Sequence, residues 1–150
     1  TPLYSSAASD VYKRQEEHTL TLDDIRGWIA PADDSAMFGV FVQGALAGMV
    51  GVARQRKLKM RHKAHIWSMY VAPAFRGQGL GRLLMRAAID HAAGMRGVRQ
   101  VQLSVTANNA AAFNLYAALG FEEYGHECEA LCVNGELYDE LLMALPLAGK

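Results

Sequence analysis

Tyr70-Val71-Ala72-Pro73-Ala74-Phe75-Arg76-Gly77-Gln78-Gly79-Leu80-Gly81-Arg82 is the stretch on which the reading of this 150-residue chain turns. An apolar run ends at Val71, Pro73 breaks it, three glycines fall within five residues, and a helical pattern begins at Leu80. A strand, a glycine-rich loop and a helix start, in that order, make an anion site. The first N–H groups of a helix lack internal partners, and the aligned peptide dipoles add partial positive charge there. Glycine has no Cβ to hold a phosphate off the backbone. Arg76 and Arg82 bracket the turn with guanidinium groups suited to phosphate. A turn that only joins two elements remains the alternative on these residues alone.

The flanks read as alternating strands and helices. Upstream, Ala64 to Val71 is a strand with Ile66, Met69 and Val71 apolar and Trp67 and Tyr70 aromatic. Downstream, Leu80, Leu83, Leu84, Ala87, Ala88 and His91 share one helical face, and Gly94 ends that helix. Val98 to Thr106 is the next strand, with Val101, Leu103 and Val105 on one face. Asn108 or Asn109 caps a second helix striped by Ala112, Leu115, Tyr116 and Leu119, closed at Gly120. Phe121 opens another strand, Asn134-Gly135 turns the chain, and Leu137 to Leu145 is the last strand. Nearer the start, Thr21-Leu22-Asp23-Asp24 resembles a capping box for a helix that Pro31 stops. Phe38, Val40 and Val42 then alternate as a strand, and Gln43-Gly44 turns it into a second strand, Ala45 to Ala53. This order predicts an α/β (α+β) fold, a mixed sheet covered by helices.

Composition sets the class. Half the residues are hydrophobic and a fifth are charged, ordinary for a soluble domain. No apolar run reaches the roughly 18 residues a membrane span needs, so no membrane partner is expected. Cys128 and Cys132 are too few and too close for a disulfide framework, which points to a reduced, cytoplasmic setting. Net charge is zero, but eleven Lys or Arg residues lie between Arg54 and Arg99 against Asp90 alone. The middle of the chain is built to meet anions, and the acidic flanks favour a cation. Arg54 to Lys63 is the densest basic segment. It lacks the interleaved aromatics of a nucleic-acid platform, so it reads as a solvated hairpin tip and no nucleic-acid partner is expected.

Residues 1–15 show no usable period, and Asp10 to Gln15 looks like a translated sequencing adapter. They are read as a non-native tail, leaving residues 16–147 as one domain truncated at its start. The Phe38–Val42 strand then exposes an edge that invites association, a homodimer among the options.

Spacing narrows the chemistry. A dinucleotide fingerprint fails, because from Gly77 the third glycine falls on Arg82 and from Gly79 on Leu84. No Gly-Lys-Ser/Thr follows, so a P-loop fails as well. What remains is Arg76-x-x-Gly79-x-Gly81 directly after a strand. A second constellation follows: Asn109-x-x-Ala112-x-x-Leu115-Tyr116-x-x-x-Gly120-Phe121. Its Asn109, Ala112 and Tyr116 sit at i, i+3 and i+7 and share one helical face.

Together these motifs resemble the GCN5-related N-acetyltransferase (GNAT) superfamily over roughly Leu22 to Leu145. The resemblance implies a mixed sheet whose parallel strands Ala64–Val71 and Val98–Thr106 splay at a bulge, with a family strand and helix absent before residue 16. It implies acetyl-CoA as acyl donor, its pantetheine arm pairing with backbone at Met69, Tyr70 and Val71. The pyrophosphate would lie on the turn formed by Arg76, Gly77, Gln78, Gly79, Leu80, Gly81 and Arg82. Asn109 would hydrogen-bond the pantetheine, Tyr116 would protonate the leaving thiolate, and a backbone N–H near Val71 would stabilise the oxyanion. The acceptor would be a primary amine on a small molecule or a peptide. An acetyl-CoA sensor without turnover is the alternative.

Several family members carry a glutamate five residues before the asparagine, and here that position is Ser104. A water chain, an acid from another element, or an amine arriving neutral can fill the gap. Glu122, Glu123, Glu127, Glu129, Asp139 and Glu140 are the acids on offer. His126-x-Cys128-x-x-x-Cys132 supplies three soft ligands without a fourth nearby, a poor zinc set, so no metal is expected.

Overall fold

The computed structural model describes residues 32–148. The predicted 21–31 helix and the unusual first fifteen residues lie outside that range. The described chain runs β1 (Ser35–Val42), β2 (Ala45–Arg54), β3 (Lys63–Val71), α1 (Leu80–Gly94), β4 (Gln100–Thr106), α2 (Ala110–Ala118), β5 (Glu122–Val133) and β6 (Glu136–Pro146). Short 3₁₀ turns at Leu58–Met60 and Pro73–Phe75 complete it.

The strands form one mixed sheet in the order β1-β2-β3-β4-β6-β5. Among the described strands only β3 and β4 pair in parallel; the other neighbours are antiparallel. The two hairpin turns follow from local chemistry. Gln43-Gly44 and Asn134-Gly135 hold positive φ at both central residues, as a two-residue hairpin with the native strand twist requires.

The core gathers Val50 and Val52 of β2, Ile66, Met69 and Val71 of β3, and Val101, Leu103 and Val105 of β4. Leu84, Met85, Ala88 and Ala92 of α1 pack onto it, as do Ala112, Leu115 and Tyr116 of α2. The face of α1 differs from the expected stripe. Gly81, Leu84, Met85, Ala88 and Ala92 are buried, whereas Leu83 is 59% exposed. Leu80 to His91 offers two overlapping apolar arcs about one residue apart, and the arc with small residues lies against the sheet. Leu84, common to both arcs, approaches β2 closely: a Cβ on Gly48 would meet its Cδ1 at 3.0 Å.

The basic 54–63 segment is a hairpin tip, as expected. Asp34 ties its base down by pairing with Arg54 and Arg61, each at 3.0 Å. No helix among the described residues is long and apolar enough to cross a membrane.

Candidate active site

The site begins where the sheet comes apart. β3 and β4 are paired at Lys63↔Gln100, Ala64↔Val101 and His65↔Gln102, and the ladder goes no further. A bulge drives the divergence. Between Gly51↔Trp67 and Met49↔Tyr70, two steps along β2 match three along β3, so β3 carries an extra residue. Ser68 sits there at φ 50, a left-handed conformation unusual for a residue with a Cβ. Gly51 makes room: the Trp67 indole, its Cε2 foremost, lies where a Cβ would be. Beyond the bulge, Met69 and Val71 are buried and Tyr70 is half-buried, at the mouth of the wedge.

At the end of β3 the glycine turn leads into α1. Gly77 and Gly79 adopt φ of 79 and 78, and space is open where their Cβ atoms would be. Gly79 is the N-cap and brings no side chain to satisfy the first N–H groups. The first turn holds no acid; it holds Arg82, exposed. A cation at the positive end of a helix dipole is locally unfavourable, and an anion docking there reverses that cost. Arg76 is used differently. Its Nε donates to the Val71 carbonyl at 2.9 Å, and its guanidinium lies 5.8 Å from the Tyr70 ring centroid. It clasps the turn to the strand it leaves.

Asn109 is buried as the N-cap of α2, its Oδ1 accepting from Ala112 N–H at 3.2 Å. That decides between the two asparagines. About two helical turns later, Tyr116 is 5% exposed, edge-on to Phe121 at 6.1 Å. Burial pushes its phenol well above the ordinary tyrosine range. The hydroxyl therefore stays protonated throughout the useful pH range and serves as a donor. His65, at the last pair of the parallel ladder, has its pKa lowered by burial and is neutral near pH 7.

Two arrangements could not be read along the chain. β6 inserts between β4 and β5, which sets Thr106 opposite Glu140 and Glu127 opposite Glu140. Ser104 lies diagonally across from Glu140 on the same face, and its hydroxyl hydrogen-bonds that carboxylate. Burial raises the Glu140 pKa and Glu127 adds to the rise, with Ser104 opposing them. The second is at the β5 bulge, where Asp139 accepts from His126 Nε2 and from Glu129 N–H, each at 2.8 Å. His126, Cys128 and Asp139 come within 4.8 Å of one another, while Cys132 faces Leu137. Asp139, holding the His126 ring and the Glu129 N–H, works as a clasp on the bulge.

The chain matches the model of the acetyltransferase (GNAT) family over residues 2–121. The ribosomal protein bS18-alanine N-acetyltransferase of Escherichia coli strain K12 is 37% identical over 86 residues, covering 57% of each chain. A GCN5-related N-acetyltransferase structure from Kribbella flavida superposes with a TM-score of 0.73 at 32% identity, covering 85% of this chain and 78% of that one. A Salmonella typhimurium protein solved with its cofactor acetyl-CoA has a TM-score of 0.81 at 23% identity, covering 100% and 95% respectively, a likeness of fold. The chain spans about half the length of the curated relatives it matches. With the family model matched over most of its length, and a parallel pair that parts at a bulge beside a glycine-capped helix, the chain belongs to the acetyltransferase (GNAT) family.

Proposed function

We propose that this chain is an acetyl-CoA-dependent N-acetyltransferase that moves an acetyl group to a primary amine of a peptide or small molecule. The observation that carries the reading is the wedge: a parallel ladder that stops at His65↔Gln102 and opens beside the glycine-capped start of α1. The donor fits these residues. The backbone of Gly77, Gln78, Gly79, Leu80, Gly81 and Arg82 offers N–H groups and dipole to a pyrophosphate, with no Cβ in the way at Gly77 or Gly79. Backbone at Met69, Tyr70 and Val71, with Asn109, lines the pantetheine path. Acetyl-CoA supplies an activated thioester carbonyl, and the protein supplies position and charge.

Each residue then has one task. The Val71 N–H donates to the oxygen that gains charge as the amine adds, a contact of a kind typically worth about 2.7–4 kcal/mol. Tyr116 donates its phenolic proton to the departing sulfur. Its raised pKa makes complete transfer uphill until negative charge builds on that sulfur, so donation is timed to bond cleavage. No metal enters the scheme. The acceptor class takes its support from the relative named for N-acetylation of an alanine of ribosomal protein bS18.

CoA release from acetyl-CoA tests the reading, with an alanine-initiated hexapeptide, a lysine-containing peptide and spermidine as acceptors. Turnover on at least one is expected. Tight acetyl-CoA binding with no acetylated product on any would replace the transferase by an acetyl-CoA sensor.

A further inference from the structure

The position at which the family resemblance leads one to expect a glutamate carries Ser104 here, and a serine hydroxyl is no base at neutral pH. The sheet supplies the missing group from the side. Ser104 lies on β4, two residues beyond Gln102, where the ladder to β3 ends, so it stands on the wall of the wedge. Glu140 reaches it from β6: Thr106 and Glu140 are directly opposed, which puts Ser104 one diagonal step from Glu140 on that face. The Ser104 hydroxyl hydrogen-bonds the Glu140 carboxylate. Ser104 is exposed and Glu140 half-buried, so the hydroxyl is the outer member of the pair.

We propose that Glu140 accepts the proton the acceptor amine must lose, with Ser104 as the relay. The inference rests on the transferase reading above. An ammonium acceptor gives a proton to Ser104 Oγ as the Ser104 hydroxyl proton passes to Glu140. The neutral nitrogen then bonds to the thioester carbonyl carbon and the carbon–sulfur bond breaks. Tyr116 hands its proton to the sulfur and regains one as the new amide nitrogen sheds its second proton, while Glu140 later returns its own to solvent.

The surroundings suit the task. Glu127 faces Glu140 from β5, Ser104 and Thr106 from β4, and Tyr138 and Leu142 flank it on its own strand. His65 lies on the same face of the sheet at the ladder's end, paired with Gln102. Burial first and then Glu127 hold the Glu140 pKa above the ordinary carboxylate range, toward the region where a carboxylate removes protons more effectively.

The test uses the full chain and the acceptor on which the wild type turns over fastest among the alanine-initiated hexapeptide, the lysine peptide and spermidine. Glu140→Gln should lower kcat by about 10²-fold or more, leave the KM for acetyl-CoA within twofold, and abolish the acidic limb of the pH–rate profile. Ser104→Ala should lower kcat less and keep that limb, because water can bridge the gap. Glu127→Gln should keep turnover and move the limb to lower pH. Adding Ser104→Glu to Glu140→Gln should restore at least tenfold, which a purely structural role for Glu140 does not predict. Wild-type kcat and an unchanged acidic limb in Glu140→Gln would overturn this inference and leave the transferase standing. A wild-type chain with no product on any acceptor would overturn both.

Discussion

Tyr116 shows how much the role of a single side chain depends on its burial. A phenol in water is a moderate acid; one held at 5% exposure against Phe121 keeps its proton and offers a directed donor. Tyr116→Phe keeps the ring packing and removes only the donor. Turnover should fall by about 10²-fold while acetyl-CoA affinity stays within twofold. Single-turnover kinetics beside calorimetric binding check this, and a kcat equal to wild type removes Tyr116 from the mechanism. Asp139 makes the complementary case for a carboxylate. The Glu129 N–H and then the His126 ring hold its pKa below the usual value. A depressed folded pKa contributes stability that is present above the unfolded value near 3.9 and is lost as pH falls through the folded value. Asp139→Asn should therefore lower Tm at pH 7, and the gap from wild type should close as pH falls from the unfolded value through the depressed folded one. A gap that persists unchanged at pH 2 would remove the ionised carboxylate as its cause.

At the scale of elements, the β3 bulge is set by two residues that meet across strands. Gly51 leaves the space that the Trp67 indole fills, so Gly51→Ala forces the ring out or β2 away from β3. Overpacking of this kind costs about 1–3 kcal/mol, which urea denaturation resolves directly. The same change should weaken acetyl-CoA binding, because the backbone that turns at Ser68 leads to Met69, Tyr70 and Val71. A variant with unchanged stability and affinity would show that the bulge does not depend on this contact. Features of this kind mark the limit of what the chain reveals in one dimension. Gln43-Gly44, Asn134-Gly135, the glycine turn and the bounds of α1 were legible because each is decided within a few residues. The buried face of α1 differs from the expected stripe at Leu83 because two apolar arcs overlap in the sequence, and packing on the sheet, a long-range event, decides between them. Arg76, expected at a phosphate, spends its Nε on the Val71 carbonyl. The Ser104–Glu140 and His126–Asp139 contacts were illegible because β6 enters between β4 and β5, an event of topology with no local signature.

Seen whole, the sheet is two three-stranded leaves, β1-β2-β3 with α1 packed on it and β4-β6-β5. Three residue pairs join them as a ladder, reinforced at that end by Arg99 N–H to the His62 carbonyl at 2.7 Å. Each leaf has extensive internal pairing, while the seam between them is short. Stability need not be uniform across such a body, and opening at the seam is a sub-global event less costly than unfolding either leaf. Native-state hydrogen exchange should resolve two protection classes, with amides of β2 and β4 exchanging on different free-energy scales. Acetyl-CoA at 100 times its Kd adds about 2.7 kcal/mol to the folded state by mass action, and the two classes should converge as it spans the wedge. Exchange on one common scale with and without acetyl-CoA would show a sheet that opens as a unit. The place where the strands part is thus also where the fold is least continuous, so that a substrate bound as proposed would act as a missing strand, completing cooperativity that the polypeptide leaves unfinished.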